Sequence, residues 1–465
     1  MTTTDILPAS YADFLAATWR TDAVALLREG LRQPSPVSIR LNAARGLTAP
    51  DGALLTEAPD DAMARGVEGY AGRVAWCGEG IYLERRPTFT ADPLLHAGAY
   101  YVQEASSMFV AHVARHIKSL GLGPWETGAV GRCLDLCAAP GGKTTLLRSL
   151  LPTGCLLIAN EPVRQRAMVL AENVAKWGQE GVRVTTALPR QLVAALRSDA
   201  SLAGGTALFD LVVADVPCSG EGMFRKEDEA RRQWSPRLVA ECAALQRDIA
   251  HTAWEVVRPG GCLIYSTCTF NAEECEGNVM ALARDLGAEL MDIPVEEAWG
   301  VRRFADVARA DVLAALSPQE RLWAGRCYHF IPGAVRGEGF FCAALRKGGG
   351  AMPADDAPRH KKRKGGGGGL AADGLLLPTD QIDTPPGMAA GSRVPRVELT
   401  AADALRYLSR ESLVLPPEVA LGIVQVCHRG QRLGFVKNIG SRANNLYPKE
   451  WRVRSGRLQP HSIFL

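Results

Sequence analysis

The sequence lacks the apolar segments that would place the protein in a membrane or direct it out of the cell. No apolar run among its 465 residues approaches the ~20 residues that a membrane-spanning helix requires. The beginning of the chain, MTTTDILPASYADFLAATW, has no basic stretch followed by an apolar one, so no secretory signal is predicted. We therefore expect a cytoplasmic protein without a membrane partner, in a chain long enough for about two or three domains.

The sequence also lacks the cysteine and histidine spacings of a metal site. Its 12 cysteines include no Cys-x-x-Cys pair and do not follow a disulfide-scaffold pattern, so we expect reduced thiols. Cys133 and Cys137 have no second pair at zinc-finger spacing, and His112 and His116 have neither a HExxH glutamate nor a third ligand. We predict no metal. No feature indicates an obligate protein partner.

Charge is distributed unevenly, although the formal net charge is only +3. Residues 396–465 contain eleven Lys and Arg against five Asp and Glu, a formal charge of +6. A small basic module on a mildly acidic body favours a polyanion partner for that module, and a merely solvated basic face is the alternative.

One segment has the composition of a linker. The stretch KGGGAMPADDAPRHKKRKGGGGGL, residues 347–370, is rich in glycine and has no hydrophobic periodicity. Its basic run, RHKKRK, either contacts RNA or only increases solubility, and the flanking glycines, which give it no fixed geometry, favour the second interpretation. This segment divides the chain into a small N-terminal α+β region (residues 1–125), a central domain (126–347), the flexible linker (348–370) and a C-terminal domain (371–465).

The central domain alternates apolar runs with helical patterns, which predicts a doubly wound, Rossmann-like α/β fold with a parallel sheet. Ligands in such sheets bind at the carboxyl ends of the strands. SPRLVAECAALQRDIAHTAWEVVRPGG is predicted to be a helix with Ser235 as its N-cap and Pro236 in its first turn. The predicted strands are RCLDLCA, CLLIANE, VRVTTAL, FDLVVADVP, CLIYSTC and FFCAALRK.

The turn after the first of these strands has the composition of a ligand-binding loop. In DLCAAPGGKTTLL, a Gly-rich turn precedes a helix and can present backbone N–H groups to a ligand. Cys137 stands where a phosphate loop needs its first glycine, and no G-x-G-x-x-G is present, so nucleoside triphosphates and dinucleotides are not predicted. Glu161, at the end of the second strand, is placed to bind ribose hydroxyls. S-adenosylmethionine fits this pattern.

Three motifs together carry a family resemblance. DLCAAPGGKT, DVPCSGEGMFRK and YSTCTFNAEECEGNV resemble the Sun/Fmu-type RNA 5-methylcytosine methyltransferases, most closely the bacterial RsmF-like 16S rRNA enzymes. Leu188 stands where the family usually has an acid near the adenine. The resemblance implies that S-adenosylmethionine is bound by Cys137, Ala138, Ala139, Pro140, Gly141, Gly142, Lys143, Glu161, Arg166 and Asp215.

Two cysteines are candidates for the nucleophile of that chemistry. Carbon 5 of cytosine is too electron-poor to attack a methyl sulfonium until a thiolate adds to carbon 6. Cys218 and Cys268 both follow strands that end in the same crevice, and the chemistry alone does not rank them. The resemblance implies that Cys268 is the nucleophile, that Cys218 assists release of the methylated RNA, and that Asp215 stabilises ring N3.

The C-terminal segment has the pattern of a small β-rich RNA-binding domain. Lys and Arg are interleaved with Phe435, Tyr447 and Trp451, and the resemblance implies a PUA-like domain. A domain that serves stability only is the alternative. The resemblance also implies that the N-terminal region contacts RNA. Lys226 lies either near the base or phosphate or on the solvated surface.

These observations predict methylation of cytosine C5 in RNA, with 16S rRNA or the small ribosomal subunit as the substrate. Two alternatives remain: a methyltransferase of another substrate such as tRNA, DNA or protein, and a non-catalytic RNA-binding assembly factor on a degenerate methyltransferase fold. Asp215, Cys218 and Cys268 argue against the assembly factor, and Leu188 is the one feature in its favour.

Overall fold

The structure is a computed structural model in which most of the chain is described. The described residues are 7–8, 10–48, 52–125, 131–198, 208–349, 376–377, 379, 384–388, 392–454 and 459–464. Residues 350–370 of the predicted linker, with the basic run RHKKRK, lie outside them. In these ranges no helix is both long and apolar enough to cross a bilayer.

The N-terminal region is α+β, as predicted. Its four strands form an antiparallel sheet in the order β2-β3-β1-β4. The strands are β1 (Val37–Leu41), β2 (Tyr70–Val74), β3 (Cys77–Leu83) and β4 (Tyr100–Val102), and the helices are α1 (Tyr11–Ala16), α2 (Thr21–Arg32), α3 (Asp60–Gly66), α4 (Pro93–His96) and α5 (Phe109–Ser119).

The central domain contains the predicted doubly wound sheet. Five strands run parallel in the order β7-β6-β5-β8-β9, so the chain reverses direction across the sheet between β5 and β8. Antiparallel strands extend both edges, because β13 pairs with β9 and β14 pairs with β7. The strands are β5 (Arg132–Asp135), β6 (Leu156–Asn160), β7 (Val182–Thr185), β8 (Phe209–Asp215), β9 (Val257–Thr267), β10 (Glu289–Leu290), β11 (Arg302–Arg303), β12 (Tyr328–Phe330), β13 (Phe340–Arg346) and β14 (Leu376–Leu377).

Helices cover both faces of this sheet, which explains why its central strands are continuously apolar. One layer contains α5, α6 and α7, and the other contains α8, α10 and α11. The helices of this domain are α6 (Gly142–Leu150), α7 (Arg164–Trp177), α8 (Pro189–Ser198), α9 (Asp228–Gln233), α10 (Pro236–Val256), α11 (Glu276–Leu286), α12 (Phe304–Val307), α13 (Ala310–Ala315) and α14 (Pro318–Ala324).

The N-cap prediction for α10 is confirmed, but the helix ends earlier than predicted. The Ser235 hydroxyl accepts the Leu238 N–H at 3.2 Å, as an N-cap does. The helix ends at Val256 and strand β9 begins at once, because Pro259 cannot continue a helix. Near the N-terminus, α1 and α2 are separate helices, and the buried Trp19 between them bridges to Ala308.

The C-terminal domain is a four-stranded sheet with one helix. Strands β15 (Arg396–Glu398), β16 (Gly422–His428), β17 (Gln431–Asn438) and β18 (Ala443–Asn445) are ordered as numbered, and β15 is parallel to β16. Helix α15 (Ala401–Leu408) packs on α4 of the N-terminal region. Ala97 and Ala175 join the C-terminal core, so this domain is packed against both other domains.

Asn160 joins three strand ends of the central sheet. Its amide nitrogen donates to the Leu136 carbonyl at 3.2 Å and to the Ala187 carbonyl at 3.0 Å. Its side-chain oxygen accepts the Thr185 hydroxyl at 3.0 Å and the Ala187 N–H at 3.2 Å. The residue is fully buried, so these four bonds fix the edge at which β5, β6 and β7 end.

We expect Asn160→Ala to destabilise the protein. The substitution leaves buried backbone groups without partners at about 1–3 kcal/mol each, so a loss of about 2–4 kcal/mol in the free energy of unfolding is expected. Urea unfolding followed by tryptophan fluorescence measures it. The matched control is Asn444→Ala in the C-terminal sheet, which should change the free energy of unfolding by less than about 0.5 kcal/mol. Equal stability of the two variants would contradict the role of Asn160.

Candidate active site

The carboxyl ends of β5, β6, β8 and β9 lie along one edge of the sheet, at the point where strand order reverses. Such a switch point is where doubly wound sheets bind ligands. The predicted site residues all come to this edge. The structure places Cys137–Lys143 after β5, Glu161 and Arg166 after β6, Asp215 and Cys218 at and after the end of β8, and Cys268 directly after β9.

The predicted cofactor loop is held in place by its neighbours. The Ala138 N–H donates to the Asn160 carbonyl at 2.8 Å. From α7, Asn173 donates to the Pro140 carbonyl at 2.8 Å and Arg166 donates to the Ala139 carbonyl at 3.2 Å. Gly141 caps α6 with a φ of 114°, which a residue with a side chain rarely adopts. The loop is therefore a fixed turn with the N-terminus of a helix beneath it.

Asp135 ends β5 beneath this loop and carries an unsatisfied oxygen. Thr144 donates to its Oδ2 at 2.7 Å, whereas its buried Oδ1 has no hydrogen-bond partner among the described residues. Burial raises the pKa of Asp135 to about 7; the Thr144 hydrogen bond opposes the shift and the charge of Asp215 adds to it. A buried acceptor of this kind fits a ligand that brings an N–H donor or a positive charge.

Glu161 is buried with only one of its oxygens turned to a charged partner. Its Oε1 accepts the Val163 N–H at 3.0 Å, and its Oε2 lies 3.3 Å from Arg166. The Glu161 side chain is 2% exposed and the Arg166 side chain 57%. The acid is therefore pre-oriented at the end of β6, and the arginine covers it from the solvent side.

Asp215 lies between the cofactor loop and β9. Lys143 Nζ donates to its Oδ2 at 2.8 Å, and the Ser266 hydroxyl donates to its Oδ1 at 2.7 Å. Burial lowers the pKa of Lys143, but the charge and hydrogen bond of Asp215 outweigh it, so the net shift is upward. The lysine therefore remains a cation between the aspartate and the cysteines.

The two candidate cysteines face each other. Their Sγ atoms are 2.9 Å apart as free thiols. The contact with Cys268, followed by burial, raises the pKa of Cys218 well above its ordinary value. Cys218 therefore stays protonated at neutral pH and can donate to its neighbour or to a group bound there.

Glu221 joins the loops that carry the two cysteines. This fully buried carboxylate accepts five hydrogen bonds from side chains and backbone of distant segments. The donors are Tyr11 Oη at 3.2 Å, Trp234 Nε1 at 3.0 Å, Phe270 N at 2.8 Å, Asn271 N at 3.0 Å and Asn271 Nδ2 at 2.8 Å. Nearby, the Gly222 N–H donates to the Cys268 carbonyl at 2.8 Å.

Glu274 makes a second connection between the same loops. Its Oε2 accepts the Ser219 N–H at 3.0 Å and Gln246 Nε2 at 2.6 Å, and its Oε1 accepts Asn271 Nδ2 at 2.8 Å. Burial and then the charge of Glu221 raise the pKa of Glu274 to about 6. The relative position of the cysteines thus depends on two buried carboxyl groups that lie close to each other.

Lys226 is anchored at the junction with the N-terminal region. Its Nζ lies 3.2 Å from the buried Glu338, which also pairs with Arg225 at 2.7 Å and accepts the Ser35 hydroxyl. About a third of the Lys226 side chain is exposed. It is therefore held by a carboxylate rather than freely solvated, and its contact with a base or phosphate stays a prediction.

Leu188 follows β7, where an acid was sought. The side chain is 57% exposed, and its backbone N–H donates to Gln191 Oε1 at 3.2 Å. The position therefore offers an apolar surface and no carboxylate.

Sequence reasoning missed Asp135, Glu221 and Glu274. Asp135 is visible as a charged residue that ends an otherwise apolar strand, and Glu221 and Glu274 stand within the quoted motifs SGEG and NAEECEG. Their burial was the missing information. Within the described ranges, no group of three or more His, Cys, Asp or Glu side chains is arranged to hold a metal ion.

Three family models match the chain in order. They are the N-terminal domain of 16S rRNA methyltransferase RsmF over residues 7–105, 16S rRNA methyltransferase RsmB/F over 124–346, and the methyltransferase RsmF PUA domain over 394–453. Together they account for each of the three sheets described above.

Curated relatives share this assignment. Ribosomal RNA small subunit methyltransferase F of Pectobacterium atrosepticum is 32% identical over 355 residues, which are 75% of this chain and 62% of that protein. Its namesake from Escherichia coli is 33% identical over 347 residues, 73% of this chain and 60% of that protein. The chain thus spans about three fifths of the length of these relatives.

Solved structures share the fold. A methyltransferase homolog protein from Pyrococcus horikoshii has a TM-score of 0.50 at 24% identity, over 72% of this chain and 94% of that one. NSun6 from the same organism, solved with SFG, has a TM-score of 0.52 at 18% identity, over 74% and 99%. The ordered family matches, the curated relatives and the motif residues gathered at the sheet edge agree, and the chain belongs to the RsmB/F methyltransferase family.

Proposed function

We propose that this protein is an S-adenosylmethionine-dependent RNA methyltransferase that modifies cytosine C5, with small-subunit rRNA as its substrate. The observation that carries the proposal is the pair of thiols, Cys218 and Cys268, 2.9 Å apart beside the Lys143–Asp215 pair. The curated relatives are named for methylation of small-subunit ribosomal RNA, which supports the choice of RNA. A cytoplasmic location stays a prediction.

The residues at the sheet edge fit S-adenosylmethionine. Asp135 offers a buried acceptor without a donor, and Glu161 offers a pre-oriented carboxylate for hydroxyl groups. The loop Cys137–Lys143 and Arg166 form the surrounding wall, with Lys143 held by Asp215. When bound, the cofactor supplies an electrophilic methyl group.

The chain's own residues provide the remaining chemistry. The Cys268 thiolate adds to carbon 6 of cytosine, which makes carbon 5 nucleophilic. Asp215, which pairs with Lys143 at 2.8 Å, contacts ring N3, and the Lys143 ammonium stabilises negative charge beside it. After the methyl group is transferred, carbon 5 loses its proton to solvent water, the double bond between carbons 5 and 6 re-forms, and the Cys268 thiolate is eliminated. The protonated Cys218 donates to the departing sulfur and so assists release.

The domain assignments belong to the same proposal. We infer that residues 1–125 contact RNA, 126–347 catalyse the reaction, 348–370 link the domains, and 371–465 bind RNA. The PUA-domain match at 394–453 and the N-terminal and C-terminal sheets support this division, but β14, inside the segment 371–465, pairs with β7 of the central sheet.

The first prediction from this proposed mechanism separates the roles of the two cysteines. Cys268→Ala should abolish methyl transfer to small-subunit rRNA or 30S subunits, because no thiolate remains to attack carbon 6. Cys218→Ala should accumulate a covalent protein–RNA adduct. Labelled S-adenosylmethionine measures transfer, and denaturing gels detect the adduct.

Cys155→Ala is the matched control, because Cys155 lies directly before β6, at the opposite end of that strand from the site, and it should retain activity. Persistent methylation by Cys268→Ala would reverse the cysteine assignment. A wild-type protein that methylates tRNA but not rRNA would change the substrate. If it binds rRNA and methylates no RNA, the assembly-factor alternative is favoured.

The second prediction concerns the pH dependence of cofactor binding. Because burial raises the pKa of Asp135 to about 7, the free protein holds a proton there at pH 6. A cationic cofactor favours the carboxylate, so binding releases this proton and affinity rises with pH until about pH 7. Calorimetry between about pH 5.5 and 7.5, where an α-amino group stays charged, measures both quantities. Asp135→Asn should bind more weakly and without this pH dependence; an unchanged pH profile in that variant would exclude Asp135 as the source.

The third prediction tests Glu221 as a positioning residue. Glu221→Gln replaces an acceptor oxygen with an N–H₂ that faces existing donors, so the cysteine loops shift. Because displacements of about 1 Å can cost about a hundredfold in rate, kcat should fall by about tenfold or more while cofactor affinity is retained. Glu241→Gln, on the exposed face of α10, is the matched control. A variant with wild-type kcat would show that this network does not position the thiols.

A further inference from the structure

A cavity of about 650 Å³ lies where the three domains meet, away from the thiol pair. Its wall combines residues of the C-terminal domain with one residue of the N-terminal region. Four of the lining residues are arginines, and Gln425, Gln431 and the buried Phe435 belong to the same lining. The arginines are Arg45, Arg393, Arg396 and Arg432.

Two of these arginines are held at the C-terminal end of α7. Arg45 donates to the Lys176 carbonyl at 2.7 Å, and Arg432 approaches the Gly178 carbonyl at 3.4 Å. Gln431 Nε2 donates to the Arg45 carbonyl at 2.8 Å, which ties the C-terminal sheet to the N-terminal region. Cations are stabilised at a helix C-terminus, so both guanidinium groups have a fixed place in the wall.

The other two arginines are exposed at the mouth of the cavity. Within the part of the chain that the structure describes, Arg393 and Arg396 form no ion pair and no side-chain hydrogen bond. No carboxylate belongs to the described lining. Glu398 lies nearby on β15, where it accepts the Gly430 N–H at 3.1 Å. The exposed pair, Arg393 and Arg396, therefore brings positive charge to the cavity that no described carboxylate pairs with.

We propose that this arginine cavity binds phosphate groups of the RNA substrate. Planar guanidinium groups bind phosphate through paired N–H donors, and four of them converge on one space. The half-buried amide of Gln431 adds a polar group of the kind that hydrogen-bonds to the sugar or base of a nucleotide and that an acidic peptide does not require. The inference rests on the proposed function, because it names a second contact for the same RNA.

The location of the cavity determines what part of the RNA it binds. Helix α7 has 14 residues, which is about 21 Å at 1.5 Å per residue. Arg166, in its first turn, contacts the cofactor loop, and the arginines lie at its other end. The bound phosphates therefore belong to a part of the RNA well removed from the target base, and the cavity contributes to substrate affinity rather than to the chemical step.

The experiment compares two double variants of the full chain that lose the same charge. Arg393→Ala/Arg396→Ala removes the exposed arginines of the cavity. Lys437→Ala/Arg442→Ala removes two exposed cations of the same domain outside it. Filter binding of 16S rRNA over a range of KCl concentrations measures affinity. The cavity variant should bind about tenfold more weakly or worse, and the slope of log K against log salt should fall by about 0.7–0.9 per lost contact.

The expected kinetic result is a raised KM for rRNA, an unchanged kcat and an unchanged affinity for S-adenosylmethionine. The control variant should stay within about threefold of wild type. Equal losses in the two variants, or none in the cavity variant, would overturn the proposal. A wild-type protein that binds rRNA through the cavity without methylating it would instead refute the proposed function and leave the cavity inference standing.

Discussion

Two buried carboxyl groups hold the loops that follow β8 and β9 in contact. Glu221 lies in the first of these loops and Glu274 in the second, and each accepts hydrogen bonds from the other loop. The backbone bond from Gly222 to the Cys268 carbonyl adds to them. Burying carboxyl groups costs free energy unless donors surround them, and here each oxygen has at least one. These donors offset the cost of burial. The network of hydrogen bonds in the core therefore keeps the two thiols at a fixed separation.

The electrostatics of the site separate two similar thiols. Contact with Cys268 and burial raise the pKa of Cys218, which keeps it protonated. The Lys143 ammonium, paired with Asp215, provides a fixed cation at the same edge of the sheet. The Cys218 sulfur is therefore suited to remain a donor, which agrees with the role proposed for it.

Much of the sheet and the membership of the site could be predicted, because both depend on local patterns. Buried strands read as apolar runs, and strands that end together bring their following residues together. The supporting contacts could not be predicted, because they join distant segments: Tyr11 and Glu221 are 210 residues apart, and Arg45 and Gln431 are 386 apart. The contact between the buried Trp19 and Ala308 is of the same kind, since it joins segments far apart in the sequence.

Helix α7 connects the two ends of the proposed substrate path. Its first turn contacts the cofactor loop through Arg166, and its last carbonyls accept from Arg45 and Arg432. Ala175 on the same helix lies in the core of the C-terminal domain, where its small side chain allows close packing. Because α7 is packed against its neighbours, the arginines at its end lie at a fixed distance from the thiols. RNA bound by these arginines would be held at that distance from the active site. The C-terminal domain can then select a substrate without touching the base that reacts.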